Sequence, residues 1–198
     1  MALQESRRTQ AIQSPVIPDV AALIRANPGT ISLGQGVVHY GPPPQAFEAV
    51  SRFGGQISDH HYQAASGLPL LQEKLAEKLN AENAICLGED QVIMVTAGSN
   101  MAFAHAIMAI ADPGDEIVIM SPFYFNHEMA VTMANCRAVL VDTDAQYQLL
   151  PQAVEAALTP RTRAVVTISP NTPSGAVYTC EALTAINHLC RERGIYNL

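Results

Sequence analysis

Residues Ala164–Ile168 form a short apolar, β-branched run that breaks off at once into Ser169-Pro170-Asn171-Thr172-Pro173-Ser174-Gly175. A continuous apolar run of this length, bounded by Pro, Asn, Ser and Gly, predicts a strand buried on both faces, as in a parallel sheet. Comparable runs fall at Val92–Val95, Glu116–Met120 and Arg137–Val141. Helical patterns lie between and after them, at Asn100–Ile110, Asn126–Asn135, Pro151–Leu158 and Cys180–Arg193, the last with Thr179 as N-cap. Such alternation predicts an α/β fold, a three-layer sandwich with a mostly parallel sheet between helices. In open α/β sheets ligands bind outside the carboxyl ends of the strands, so the loops after the strands are the candidate sites.

The upstream part reads differently. Pro15–Arg25 is a helix with one apolar face, stopped by Pro28-Gly29, and Ile31–Leu33 runs extended into Gly34-Gln35-Gly36. Gly41–Pro44 is a rigid turn into a helix at Gln45–Phe53, closed by Gly54-Gly55. Ser58–Gln63 is a polar, aromatic loop, and Leu68–Asn83 is an amphipathic helix with Leu68, Leu71, Leu75 and Leu79 in line. The result is a helical and extended N-terminal arm preceding the sandwich.

At 198 residues, 48% hydrophobic and 15% charged, the chain can bury a core. The net charge of -7 argues against nucleic acid or an anionic membrane surface as partner. The longest apolar run, Met101–Ala111, is broken by His105 and too short to span a bilayer, and the N-terminus lacks the apolar core of a signal peptide. Cys86, Cys136, Cys180 and Cys190 make no Cys-x-x-Cys pair and have no His at zinc spacing, so the expectation is no metal site and reduced thiols, as in the cytoplasm. Neither a dinucleotide fingerprint nor a P-loop is present.

Read alone, the loops keep two meanings. Thr96-Ala97-Gly98-Ser99-Asn100 feeds a helix whose N-terminus suits a phosphate, yet Ser99 or Asn100 is equally an ordinary N-cap. Tyr124 is a core aromatic or a ring platform, His127 a surface residue or part of a site, and Tyr62 a loop tyrosine. Gly34 and Gly36 mark a backbone turn.

Taken in order, these segments resemble pyridoxal 5'-phosphate (PLP) aminotransferases of class I/II, the fold type I, aspartate aminotransferase superfamily. The resemblance covers almost the whole chain but only the amino-terminal half of such an enzyme. It implies residues 1–50 as arm and part of the small domain, and 51–198 as a partial PLP-binding large domain. It gives Gly98, Ser99 and Asn100 to the phosphate, Tyr124 to stacking on the pyridine ring, and Tyr62 to the phosphate of a partner subunit. Gly34 and Gly36 would touch the substrate carboxylate, and His127 would support the aspartate beneath the ring. The family's asparagine before proline, which meets the phenolic oxygen, is Thr172 here, with Asn171 one place earlier, so either stands for it.

The resemblance implies amino-group transfer between an amino acid and a 2-oxo acid, in a homodimer. The family's Schiff-base lysine has no counterpart, because the chain's lysines are Lys74 and Lys78 alone, on the polar side of the Leu68–Asn83 helix. The second reading is therefore an inactive remnant that binds PLP or phosphate, or dimerises. A chain cut through a parallel sheet is expected to be marginal and sticky and to show no transaminase turnover.

Overall fold

The computed structural model describes residues 3–13, 16–33, 36 and 38–198. Tertiary contacts divide the chain into two compact units, Met1–Gln13 with Thr96–Leu198, and Ser14–Val95.

The first unit is built on a sheet of four parallel strands: β1 (Glu116–Ser121), β2 (Arg137–Asp142), β3 (Thr162–Val166) and β4 (Tyr196–Asn197). Their spatial order is β2-β1-β3-β4. Helices α1 (Arg7–Ala11), α5 (Ser99–Ile110), α6 (Phe125–Met133), α7 (Pro151–Ala157) and α8 (Cys180–Arg193) belong to this unit. Strand β1 explains the layering. Its side chains alternate between faces, and Glu116 to Met120 are all buried. Ile117 and Ile119 enter one core with Ile107 of α5 and Val131 of α6. Val118 and Met120 enter the other, with Val154 of α7 and Ile186, Leu189 and Cys190 of α8. Each fully buried Ile or Val contributes roughly 1.5–3 kcal/mol, so an apolar strand between two helical layers specifies its own position. The three-layer α/β expectation holds.

The chain leaves β1 for β2 on one side and returns to β3 on the other, so the strand order reverses between β1 and β3. A crevice opens at such a point outside the carboxyl ends. Helix α8 shows why its boundaries are sharp: Thr179 Oγ1 accepts the Ala182 amide at its start, and Gly194 (φ 64°) takes the left-handed cap at its end.

The second unit carries α2 (Val16–Ala26), α3 (Pro44–Arg52), a 3-10 turn at Ile57–His60 that overlaps the expected Ser58–Gln63 loop, and α4 (Pro69–Asn83). The helix expected from Pro15 is present from Val16, Pro15 itself lying outside the described residues. One expectation fails. Val92–Val95 is no strand of the sheet; its Val95 amide donates to Ser66 O at 2.9 Å, and Gln72 Nε2 donates to Ile93 O at 2.7 Å. Its partners are a loop and a helix side chain, so its apolar residues could not be told from strand residues by sequence pattern. Among the described residues of this unit none is buried, and Phe47, Val50 and Phe53 are largely exposed.

Candidate functional site

The carboxyl ends of β1 and β3 carry the two loops read as candidate sites. After β1, Ser121-Pro122-Phe123 leads to Tyr124, which is the N-cap of α6. After β3, the chain turns through Ser169–Gly175, and Asn171 is its anchor. Asn171 is 4% exposed, its amide donates to Ala176 O at 2.8 Å, and its carbonyl accepts the Gly175 amide at 2.7 Å. Its side-chain Nδ2 donates to Pro122 O at 3.1 Å and to Ser174 Oγ at 2.9 Å. A buried carboxamide whose Nδ2 donates twice latches one loop to the other across the switch point. Thr172, beside it, is exposed. The structure thus separates the two residues between which the sequence left the choice open: one is turned into the loop and the other outward.

Helix α5 brings in the third segment. Its N-cap is Gly98 (φ 87°), with no side-chain cap, so neither Ser99 nor Asn100 is the ordinary N-cap that the sequence allowed. The Thr96 hydroxyl donates to Gly98 O at 2.9 Å and holds the turn, and the first helical bond is Ala102 N to Gly98 O at 3.2 Å. The amides of Ser99, Asn100 and Met101 precede that bond, which leaves the positive end of the helix facing outward. Gly98, Ser99 and Asn100 are exposed, and no atom lies within 4 Å of where a Cβ on Gly98 would stand.

An aromatic series ties α5 to α6. The Phe103 and His127 rings stack at 3.8 Å and 13°, and His127 meets Tyr124 edge-on at 5.2 Å and 81°. Asn126 Nδ2 donates to Tyr124 Oη at 2.6 Å. His127 Nδ1 is buried without a hydrogen-bond partner among the described residues, and burial pushes the imidazole pKa down. The structure therefore brings together Gly98–Asn100, Tyr124, His127, Asn171 and Thr172 in one unit. Phe103 is the residue that sequence pattern passed over. Its place one turn in from Ser99, on a helix start already of interest, was the available signal.

Tyr62 is fully exposed and, like Gly36, belongs to the other unit, while Gly34 lies outside the described residues. Lys74 pairs with Glu77 at 2.7 Å and Lys78 pairs with Glu82, all four side chains being largely exposed on α4. Among the described residues no cluster of His, Cys, Asp and Glu suits a metal ion, and no helix is long and apolar enough to cross a membrane.

Residues 28–198 match the family described as aminotransferase class I and II. The chain is similar to the aromatic aminotransferase ISS1 of Arabidopsis thaliana, 33% identical over 96% of this chain and 49% of the relative. It is similar to the aspartate/prephenate aminotransferase of Thermus thermophilus, 35% identical over 96% of this chain and 51% of the relative. The solved aspartate aminotransferase from Thermus thermophilus with maleate superposes with a TM-score of 0.89 at 34% identity, covering 99% of this chain and 52% of that one. The chain thus spans about half the length of the curated relatives it matches. A parallel sheet with this switch point, the matched span and relatives above 30% identity agree: the chain belongs to the aminotransferase class I and II family.

Proposed function

We propose that these residues form the amino-terminal half of a PLP-dependent transaminase that moves an amino group between an amino acid and a 2-oxo acid, and that they hold most of its cofactor cradle. The observation that carries the reading is that α5, whose start at Gly98 has no side-chain cap, stacks through Phe103 on His127, whose Nδ1 is buried and has no partner among the described residues, beside the half-buried Tyr124. The pieces fit the cofactor. The open turn at Gly98, with Ser99 and Asn100, takes the phosphate. Tyr124 offers its face to the pyridine ring, Thr172 the outward hydroxyl toward the phenolic oxygen, and Asn171 the latch behind it. The unpaired His127 Nδ1 awaits a polar group beneath the ring. Bound there, PLP supplies the carbonyl and electron-withdrawing ring that amino-group transfer requires.

In the complete protein, Tyr62 reaches the phosphate of a partner subunit in a homodimer, and Gly34 and Gly36 approach the substrate carboxylate. The domain division at residue 50 belongs to the same reading, as does a cytoplasmic setting, supported by four free cysteines. A specific observation favours the second reading for these 198 residues by themselves. Both lysines are exposed, ion-paired and outside the unit that carries the cradle. The chain alone therefore acts as a binding module without turnover. PLP titration followed by borohydride reduction tests this. Saturable PLP binding, with no stoichiometric covalent label and no turnover, is the expected outcome. Absence of saturable binding would refute the cradle, and turnover would refute the module.

A further inference from the structure

We propose that Asn126 is a positioning residue whose carboxamide clamps the Tyr124 phenol and so fixes the plane of the Tyr124 ring for a flat pyridine phosphate. The inference rests on reading this site as a PLP cradle and adds a residue that acts through another. Tyr124 sits at the N-cap of α6 with φ -75° and ψ 113°, so its backbone is set by the helix start. What remains free in a tyrosine is the pair of side-chain torsions, the second of them broad. Ring contacts and a bond at the phenol tip restrain them here, the neighbouring Phe125 ring lying at 5.4 Å. His127 meets the ring edge-on at 5.2 Å, and is itself held by the stack on Phe103. At the far tip, Asn126 Nδ2 donates to Tyr124 Oη at 2.6 Å.

Asn126 is the second residue of α6, so helical backbone geometry fixes its own Cα. Both side chains are half-buried, where a hydrogen bond is less exposed to competition from water than on an open surface. A stacking platform works best when its plane is set before the ligand arrives, because a ring that must be ordered on binding subtracts that entropy from affinity. Asn126 in the role of a polar residue at a helix start would affect folding only. As a clamp, it affects how a ring binds on Tyr124.

The probe is 4'-deoxypyridoxine 5'-phosphate, a pyridine phosphate with no aldehyde, so Lys74 and Lys78 cannot react with it. Affinity by titration calorimetry and the induced circular dichroism of the bound probe are measured on the 198-residue chain. Tyr124→Leu, which removes the platform, is expected to weaken binding more than about tenfold. Asn126→Ala and Tyr124→Phe, which delete the same hydrogen bond from its two ends, are each expected to cost about 3–10-fold. Each should also diminish the induced signal. The double variant is expected to bind no more weakly than either single one, because the bond is already gone. If Asn126→Ala leaves affinity and induced signal unchanged, or costs as much in the Tyr124→Phe background as in the parent, the clamp is overturned while the platform stands. If Tyr124→Leu binds like the parent, the cradle reading falls and the clamp with it. Tyr124→Phe removes the same bond while leaving Asn126 in the first turn of α6, and the Tyr124 side chain makes no cap bond to that helix, so a folding defect in Asn126→Ala does not shield the proposal.

Discussion

Replacing Glu116 by Gln probes a heavily bonded buried charge. Glu116 opens β1, its side chain is fully buried, and it accepts from Arg137 Nη2 at 2.7 Å, Arg161 Nη2 at 2.7 Å and Nε at 3.0 Å, and Thr159 Oγ1 at 2.7 Å. The Arg137 and Thr159 hydrogen bonds lead in holding its carboxyl at about 2, against an ordinary 4.5, while burial opposes them. That difference corresponds to about 3 kcal/mol of preference for the charged form in the folded state. The Arg137 and Arg161 side chains are 60% and 67% exposed, so solvent screening reduces the net contribution to about 1–2 kcal/mol. A folded-state value below the unfolded one means the stabilisation is fully present above pH 4.5 and is lost as the pH falls toward about 2. The assay is urea unfolding by circular dichroism, for parent and Glu116→Gln, from pH 7 downward. The expected result is a variant weaker by about 1–2 kcal/mol at pH 7, with the gap closing below pH 4.5. A gap that is absent at pH 7, or that stays constant down to pH 2.5, would refute the reasoning.

Two further outcomes are expected. Tyr178 is 4% exposed, and its hydroxyl is buried without a hydrogen-bond partner among the described residues, so Tyr178→Phe is expected to be neutral or to stabilise by up to about 1 kcal/mol in the same urea assay; a loss beyond that would reveal a hidden partner. Gly67 holds φ 113°, and a Cβ there would stand 2.7 Å from Val95 Cγ2, so Gly67→Ala is expected to cost on the order of 1–3 kcal/mol and to speed hydrogen exchange at the Val95 amide; unchanged exchange would count against the close approach.

The sequence determined the kind of fold through alternation. The buried pattern of Glu116–Met120 and Ala164–Val166 admits only a strand covered on both faces, and the intervening helical patterns supply the covers. Thr179, Gly194 and the proline-rich turns set boundaries by local chemistry, which is why the helix limits were legible to within a residue or two. Local chemistry could not tell the Val92–Val95 segment from a sheet strand, because apolar β-branched residues read alike whether their backbone pairs with a strand or with Ser66 and Gln72. Nor could it say which of Asn171 and Thr172 turns outward. That depends on the carbonyl of Pro122, 49 residues earlier, arriving within 3.1 Å of Asn171 Nδ2. The Phe103–His127 stack, which joins α5 to α6 on one face of β1, and the Glu116 cluster, which needs the pairing of β1 with β2 and β3, likewise join residues distant in sequence. Periodicity and capping act over a few residues and are written along the chain, whereas a site at a switch point exists only after separate strands have paired.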